Sequence, residues 1–566
     1  MFNMRKSILA TAILAATFGL TACGGSSDKK ETPVAEPVNT APKDIKVTLT
    51  DGALFLGNVA GTTAGTISAT DSDSGDTLTF TTTDENFEIS GSSLILKSGA
   101  SIDSETVDVT ISVSDNVNAV VEETVTLTVS QLENYYGFNS KFEENKSAVS
   151  YSGQIARHAL LNEVKKYIGT LTVAHVNDNN ITAEQVESHL NALFADYDSI
   201  AENEFTFTDI TNLKQKTFAD IASTGKSLKG KIAGNDSSKQ TKNWLVEGTF
   251  IGWTDFGSEL KTPEGLLNHL FSVIVSQVQM TNDGEQVSDY YGNPISKLFI
   301  TPEGLDLQQL VQKHLLGAIM FSQGTDDYLE DGLTSDNTKQ DKDTKPYTSL
   351  EHQFDEGFGY FGATRDYLAY TDEEIAKKSG RPEYQGQHDT NGDLLIDLNS
   401  ELIFGNSANA GKRDRGAVVA TDFSADAMNA FIAGRKIISE AAPNALSDSE
   451  TEELNKQRDI AVDAWEKAIA ATVVHYINAV LIDLDNGAQE NFTSLAKHWS
   501  ELKGFALNFQ FSPFSPMSES DFAKLHILVG DKPDLENIVQ YKEKLIEASD
   551  IIQATYDFNA ENVVNW

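Results

Sequence analysis

The stretch IAVDAWEKAIAATVVHYINAVL, residues 460–481, decides how most of this chain is built. Its apolar residues occupy most of the helical circumference, so it reads as a helix buried inside a bundle. Around it, over residues 133–566, the apolar period stays near 3.6. Leu161, Val164 and Ile168 form one stripe, and Thr262-Pro263-Glu264 and Thr301-Pro302-Glu303 each set a capping residue before a proline suited to the first helical position. Residues 323–347, rich in Gly, Asp, Ser and Lys, and residues 441–450 read as loops. There is no solenoid period, and no window after the N-terminal segment reads as an unbroken apolar membrane span.

Upstream the period changes to two. In Val107-Asp108-Val109-Thr110-Ile111-Ser112-Val113-Ser114 every odd position is apolar and every even one polar, and Thr124-Val125-Thr126-Leu127-Thr128-Val129 repeats the pattern. Such alternation puts one face of an antiparallel sheet on a core and the other in water. Shorter runs at residues 45–49, 65–70, 77–82 and 93–97, separated by turn residues, bring the expectation to about seven strands. The predicted fold is multidomain: a small antiparallel β-sandwich over 43–132, then a large, mainly α-helical bundle domain over 133–566.

Ahead of the sandwich, Arg5 and Lys6 precede an apolar stretch from Ile8 to Leu20, then Leu20-Thr21-Ala22-Cys23. A basic start, a short apolar run and small residues describe an export signal over 1–22. Cys23 is the only cysteine, and Leu20-Thr21-Ala22-Cys23 resembles the lipobox at which bacterial lipoproteins are processed. The resemblance implies a mature chain that starts at lipid-modified Cys23 and has the membrane as a partner. It implies the cell envelope as location, the outer membrane of a Gram-negative bacterium in particular. The alternative is a plain secretory signal followed by an unrelated thiol. Residues 23–42, mostly Gly, Ser, Lys, Glu and Pro, read as a solvated tether.

The net charge of −41, from 84 acidic against 43 basic residues, argues against a nucleic-acid partner, which needs clustered cations. Surplus carboxylates suit divalent cations. With one cysteine there is no internal disulfide and no thiolate metal centre.

Asp71, Asp73, Asp103, Glu105 and Asp115 fall at expected strand ends or turns. Loop carboxylates can supply the oxygens that calcium needs, or can be solvated turn acids on a spacer. With Asn39-Thr40-Ala41-Pro42, the turns Asp71-Ser72-Asp73 and Asp103-Ser104-Glu105 and the strand end at Asp115 make the segment similar to a cadherin-like repeat, or more broadly to immunoglobulin-like sandwiches. The resemblance implies calcium at those five acids. A second loop, Asp389-Thr390-Asn391-Gly392-Asp393-Leu394-Leu395-Ile396-Asp397, has oxygens at positions 1, 3, 5 and 9 and resembles the calcium loop of EF-hand and dockerin proteins. It has Leu394 at the position of the usual glycine and Glu401 one place late. A plain Asx-rich turn is the other reading.

Three histidines carry the remaining chemistry. His352, Asp355 and Glu356 fall on one predicted helical face; His498-Trp499-Ser500-Glu501 repeats the His-x-x-acid spacing; His475 sits on the buried helix. Bundles build metal sites by aiming such residues inward from different helices, while three unrelated structural histidines are the alternative. These stretches, with Gly304 to Leu307, Gln309, Lys313 and Gly434-Arg435, resemble an uncharacterised family of exported bacterial lipoproteins. That family is in turn similar to the imelysin-like group of helical envelope proteins, linked to iron or haem acquisition and once classed as peptidases. The resemblance implies iron, haem or another transition metal at His352, Asp355, Glu356, His475, His498 and Glu501. Arg435 would pair with a ligand carboxylate such as a haem propionate, or with the local acids.

The function expected is therefore an envelope-anchored lipoprotein, with a calcium-supported spacer and a helical domain that binds a metal ion or metal-containing ligand. An adhesin or scaffold that presents a surface to an envelope protein partner is one alternative; a metallohydrolase using His498-x-x-Glu501 is the other. Gly357-x-Gly359-x-x-Gly362 is no dinucleotide fingerprint, because no strand precedes it. His158, His189 and His269 are expected at surface or boundary positions.

Overall fold

The computed structural model describes residues 39–49, 63–73, 75–97, 106–129, 134–144, 146–236 and 240–566. The signal segment, Cys23, Asp103 and Glu105 lie outside the described residues.

Seven strands are described: β1 (Lys43–Leu49), β2 (Thr63–Thr70), β3 (Thr79–Thr82), β4 (Phe87–Ser90), β5 (Ser93–Leu96), β6 (Thr106–Ser114) and β7 (Val121–Thr128). They form two antiparallel sheets, ordered β1-β2-β5-β4 and β3-β6-β7. The alternation sets the inward face as expected: Val109, Ile111 and Val113 of β6 are buried, with Ile67, Phe87, Leu94 and Leu127 in the same core. Register follows from it, since Val109 opposes Val125, and a slip by one residue would turn that face to water.

A second core belongs to the helical part and takes in Tyr136 and Phe138 ahead of the first helix. The helices that matter below are α1 (Ser152–Thr170), α2 (Pro263–Asn282), α3 (Leu307–Leu315), α4 (Ser349–Phe361), α5 (Gly405–Gly416), α6 (Phe423–Ala441), α7 (Asp448–Asp485) and α8 (Phe492–Ala506). The stretch 460–481 is the middle of α7, which is flanked by α5, α6 and α8 and buries Trp465, Ile469, Val473 and Ile477. By length and composition alone α7 could cross a membrane, but most of its apolar window is buried in the bundle.

Three local expectations are corrected. Thr262 caps α2 by accepting from the Gly265 amide, but Thr301-Pro302-Glu303 forms a turn closed by Thr301 N–H donating to Leu305 O. The next helix starts later, at Asp306, which accepts from Gln309 N. Residues 323–347 do not begin as a loop. Leu316–Phe321 and Gln323–Tyr328 continue α3 as buried π-helical turns, with Asp326 accepting from Thr241 N and Oγ1 and Thr325 Oγ1 donating one turn back to Phe321 O, while the Gln323 side chain is buried without a partner. His158 is not at a boundary. It lies in the core with Nε2 3.2 Å from Tyr360 O and its ring against Phe404, and burial pushes it down to about 4, so it stays neutral.

Candidate functional site

α4 and α6 meet through a charged knot. Thr348 caps α4 in a reciprocal box, which fixes Glu351 at the first turn and Asp355 one turn on. Arg435 of α6 donates from Nη1 to Glu351 Oε1 (2.9 Å) and from Nε to Asp355 Oδ1 (2.8 Å), and its third nitrogen donates to Ala148 O. Tyr136 Oη and Ser150 N complete the shell of Asp355, and all three charged side chains are wholly buried. Burial works against the charge of Arg435, but Asp355 and Glu351 outweigh it, so the guanidinium stays protonated. Arg435 is therefore not placed to greet a ligand carboxylate; of the two readings, pairing with local acids is the one observed. Asp355 is likewise committed, and a metal there would have to displace Arg435.

Asp355 points further inward than its neighbours His352 and Glu356, though Ser150 bonds both Asp355 Oδ2 and His352 Nδ1. His352 is half-buried, with Nδ1 3.0 Å from Ser150 O and its ring stacked on Tyr347. Glu356 accepts from Gln154 Nε2 and lies 3.8 Å from His352 Nε2. A separation of three residues turns Asp355 by about 60° from His352, enough to put it inside.

His475, His498 and Glu501 lie elsewhere, on the seam of α3, α7 and α8. Gly504 decides that seam: a Cβ there would sit 2.5 Å from Lys313 Cβ, so glycine lets α3 close on α8. The close approach brings Lys313 Nζ to 3.4 Å from Glu501 Oε1, both buried. Burial raises the Glu501 carboxyl, but Lys313 and Lys497 outweigh it and hold it below its ordinary value. The other oxygen, Oε2, is buried with no hydrogen-bond partner. His498 Nδ1 is 2.7 Å from Asp483 Oδ2, and Tyr476 lies between His498 and His475. Burial first, then Arg413, push His475 down to about 4. The structure thus gathers His475, His498 and Glu501 on one seam and leaves His352 on another. Among the described residues they do not form a group with the ligand spacing of a metal centre.

That spacing occurs once among the described residues, in the sandwich, where oxygens of Asp71, Asp76 and Asp115 all lie within 4.8 Å of one another. Asn39 Nδ2 donates to Asp76 Oδ2, and Asn118 Nδ2 reaches both Asp115 Oδ2 and Asn39 Oδ1. Asp71 Oδ2 is buried without a partner. Asp73 turns away and accepts from Thr40 N and Oγ1. Sequence reasoning missed Asp76; the signal was a third acid three residues past Asp73.

In the loop at Asp389 the backbone resembles the expected one: Ile396, at position 8, makes a β-bridge to Leu213. The side-chain oxygens also brace the loop. Asp389 accepts from Gly392 N and Leu394 N, Asn391 from Asp393 N, and Asp393 from Leu395 N. Asp397 pairs with Lys214 and Gln215, while buried Glu401 accepts from Thr390 and from Asp397 N. Desolvation, only partly offset by those donors, pushes Glu401 up to about 7.

Beside the seam opens a cavity of about 370 Å³, which sequence reasoning missed. Asn162, Lys165 and Lys166 of α1, Gln308 and Gln312 of α3, Phe207, Thr208, Lys377 and residues 402–404 line it. Gln312 joins it to the seam by accepting from Lys313 Nζ at 2.6 Å. Two other cavities, near Asp531 and near Glu519, have mixed charge. This one has three lysines and no carboxylate.

The molecule is thus a two-part protein: an antiparallel sandwich with an acidic cluster, followed by a helical domain with a polar seam and a cationic cavity. The helical part also settles the family. Residues 134–529 match the family described as Domain of unknown function (DUF4856), and the chain belongs to it. No curated protein and no solved structure matches the chain.

Proposed function

We propose that this chain is an envelope-anchored binding protein, acylated at Cys23, in which a calcium-supported sandwich carries a helical domain that holds a small solute. The observation that carries this reading is the cavity beside the Lys313–Glu501 seam. It is walled by side chains from several separate chain segments and lies within the size range of small-molecule sites. The placement of His352 apart from His475 and His498 speaks against a single imelysin-like metal centre built on all three, and with it against the metallohydrolase. Thr208→Trp should fill the cavity from its wall. Native mass spectrometry of the protein taken from its own membrane is expected to show a bound small molecule in wild type and none in the variant. Equal occupancy of both would sink the reading.

Calcium is proposed for the sandwich on the grouping of Asp71, Asp76 and Asp115. Titration of the chelated chain with Ca²⁺ should show one weak site, with a Kd on the order of 10⁻⁴ to 10⁻³ M, as in extracellular modules. Asp76→Asn with Asp115→Asn should abolish it, and unchanged heats in that variant would remove calcium from this place.

A further inference from the structure

Resting on the binding reading above, we propose that the cavity takes a small oxyanion of charge two or more, a phosphate or a polycarboxylate, held by Lys165, Lys166 and Lys377. Among the described residues none of Lys165, Lys166, Lys377 and nearby Lys412 has a carboxylate within ion-pair distance, although the chain has almost twice as many acids as bases, whereas Lys313 one helix away is paired with Glu501. Unpaired like charges around a concave wall raise the local positive potential and draw in an anion of matching charge.

The cations are positioned as well as present. Lys165 and Lys166 are successive residues of α1, and the carbonyl of Lys165 is held by Gln308 Nε2 at 2.9 Å. The stem of Lys377 crosses Gly386, where a Cβ would fall 2.1 Å from Lys377 Cε, so a side chain there would push the lysine from its path. The environment also disfavours the empty, fully protonated state. Burial and then Lys313 push Lys165 down to about 7, with Lys412 adding to the effect and Glu501 and Asp306 only partly relieving it. A bound anion would relieve it. Lysines, as compact point charges, suit phosphate or carboxylate without demanding the planar fork geometry of arginine. The amides of Asn162 and Gln312 add neutral hydrogen-bonding capacity on the same wall.

The test is isothermal titration of the full chain with inorganic phosphate and, separately, with citrate, at constant ionic strength made up with chloride. At least one is expected to bind with a Kd below about 1 mM, an affinity of about 4 kcal/mol. Lys165→Gln with Lys377→Gln should weaken it at least tenfold. Because neither lysine has a carboxylate partner, the same double variant should keep the wild-type urea midpoint or exceed it, which separates lost binding from lost folding. Phosphate binding alone, or citrate binding alone, names the source of the oxyanion. No binding of either above chloride, or equal binding by the variant, overturns the proposal. If a solute displaced by Thr208→Trp is then found to be uncharged, the anion assignment fails while the binding reading stands; if nothing occupies the cavity, both fail.

Discussion

Arg435→Ala is expected to destabilise the helical domain by roughly 3–5 kcal/mol, the largest loss of any single substitution considered, because it leaves two carboxylates buried without their cation. Glu351 and Asp355 have no exposed surface, and Arg435 pairs with both. Both would have to take up protons or admit water. The loss reflects mispairing more than the intrinsic worth of the ion pair. A triple variant, Arg435→Met with Glu351→Gln and Asp355→Asn, removes every charge together and should recover most of it. Urea denaturation followed by tryptophan fluorescence reads both, since the helical core contains Trp465 and Trp499. If Arg435→Ala unfolds at the wild-type midpoint, the knot is not holding α4 to α6. Arg435→Lys should fall between, because one ammonium cannot reproduce donations to Glu351, Asp355 and Ala148 at once.

What the sequence made legible is what short-range periodicity controls. The two-residue alternation of β6 and the nearly all-apolar circumference of α7 are local patterns, and each specifies its own burial. Thr262-Pro263 was legible for the same reason, since a cap is satisfied within its own turn. Thr301-Pro302 was not, because the choice between a turn and a helix start rested on Thr301 bonding forward to Leu305. The π-helical run at Gln323 reads as a loop by composition, since its Asp326 finds a partner, Thr241, far away in sequence. The meeting of His475, His498 and Glu501 was partly legible through the His-x-x-acid spacing. That His352 stays apart depends on how the helices rotate and how closely they approach, which no period encodes. Likewise Lys165, Lys166 and Lys377 look like ordinary solvated charges until folding sets them around one space.

Glu501→Ala carries the second large effect and tests the seam itself. Removing the carboxylate leaves the Lys313 ammonium buried beside the neutral acceptors Gln309 and Gln312, at a cost of roughly 3 kcal/mol. The pH dependence identifies the cause. Burial already holds Lys313 below its ordinary value of 10.5, with Glu501 opposing that shift, and losing Glu501 must lower it further. Between the lowered folded value and 10.5 the unfolded chain binds the proton that the folded chain has shed, so stability rises with pH across that window. The deficit of Glu501→Ala should therefore be greatest near neutral pH and shrink as the pH approaches 10.5. Glu501→Leu with Lys313→Met has no ammonium to titrate, so the Lys313 contribution should vanish from its profile. A deficit for Glu501→Ala that stays constant with pH would mean lost packing rather than a stranded charge. Lys313 could then no longer be regarded as the neutralised lysine that sets apart the unpaired ones lining the cavity.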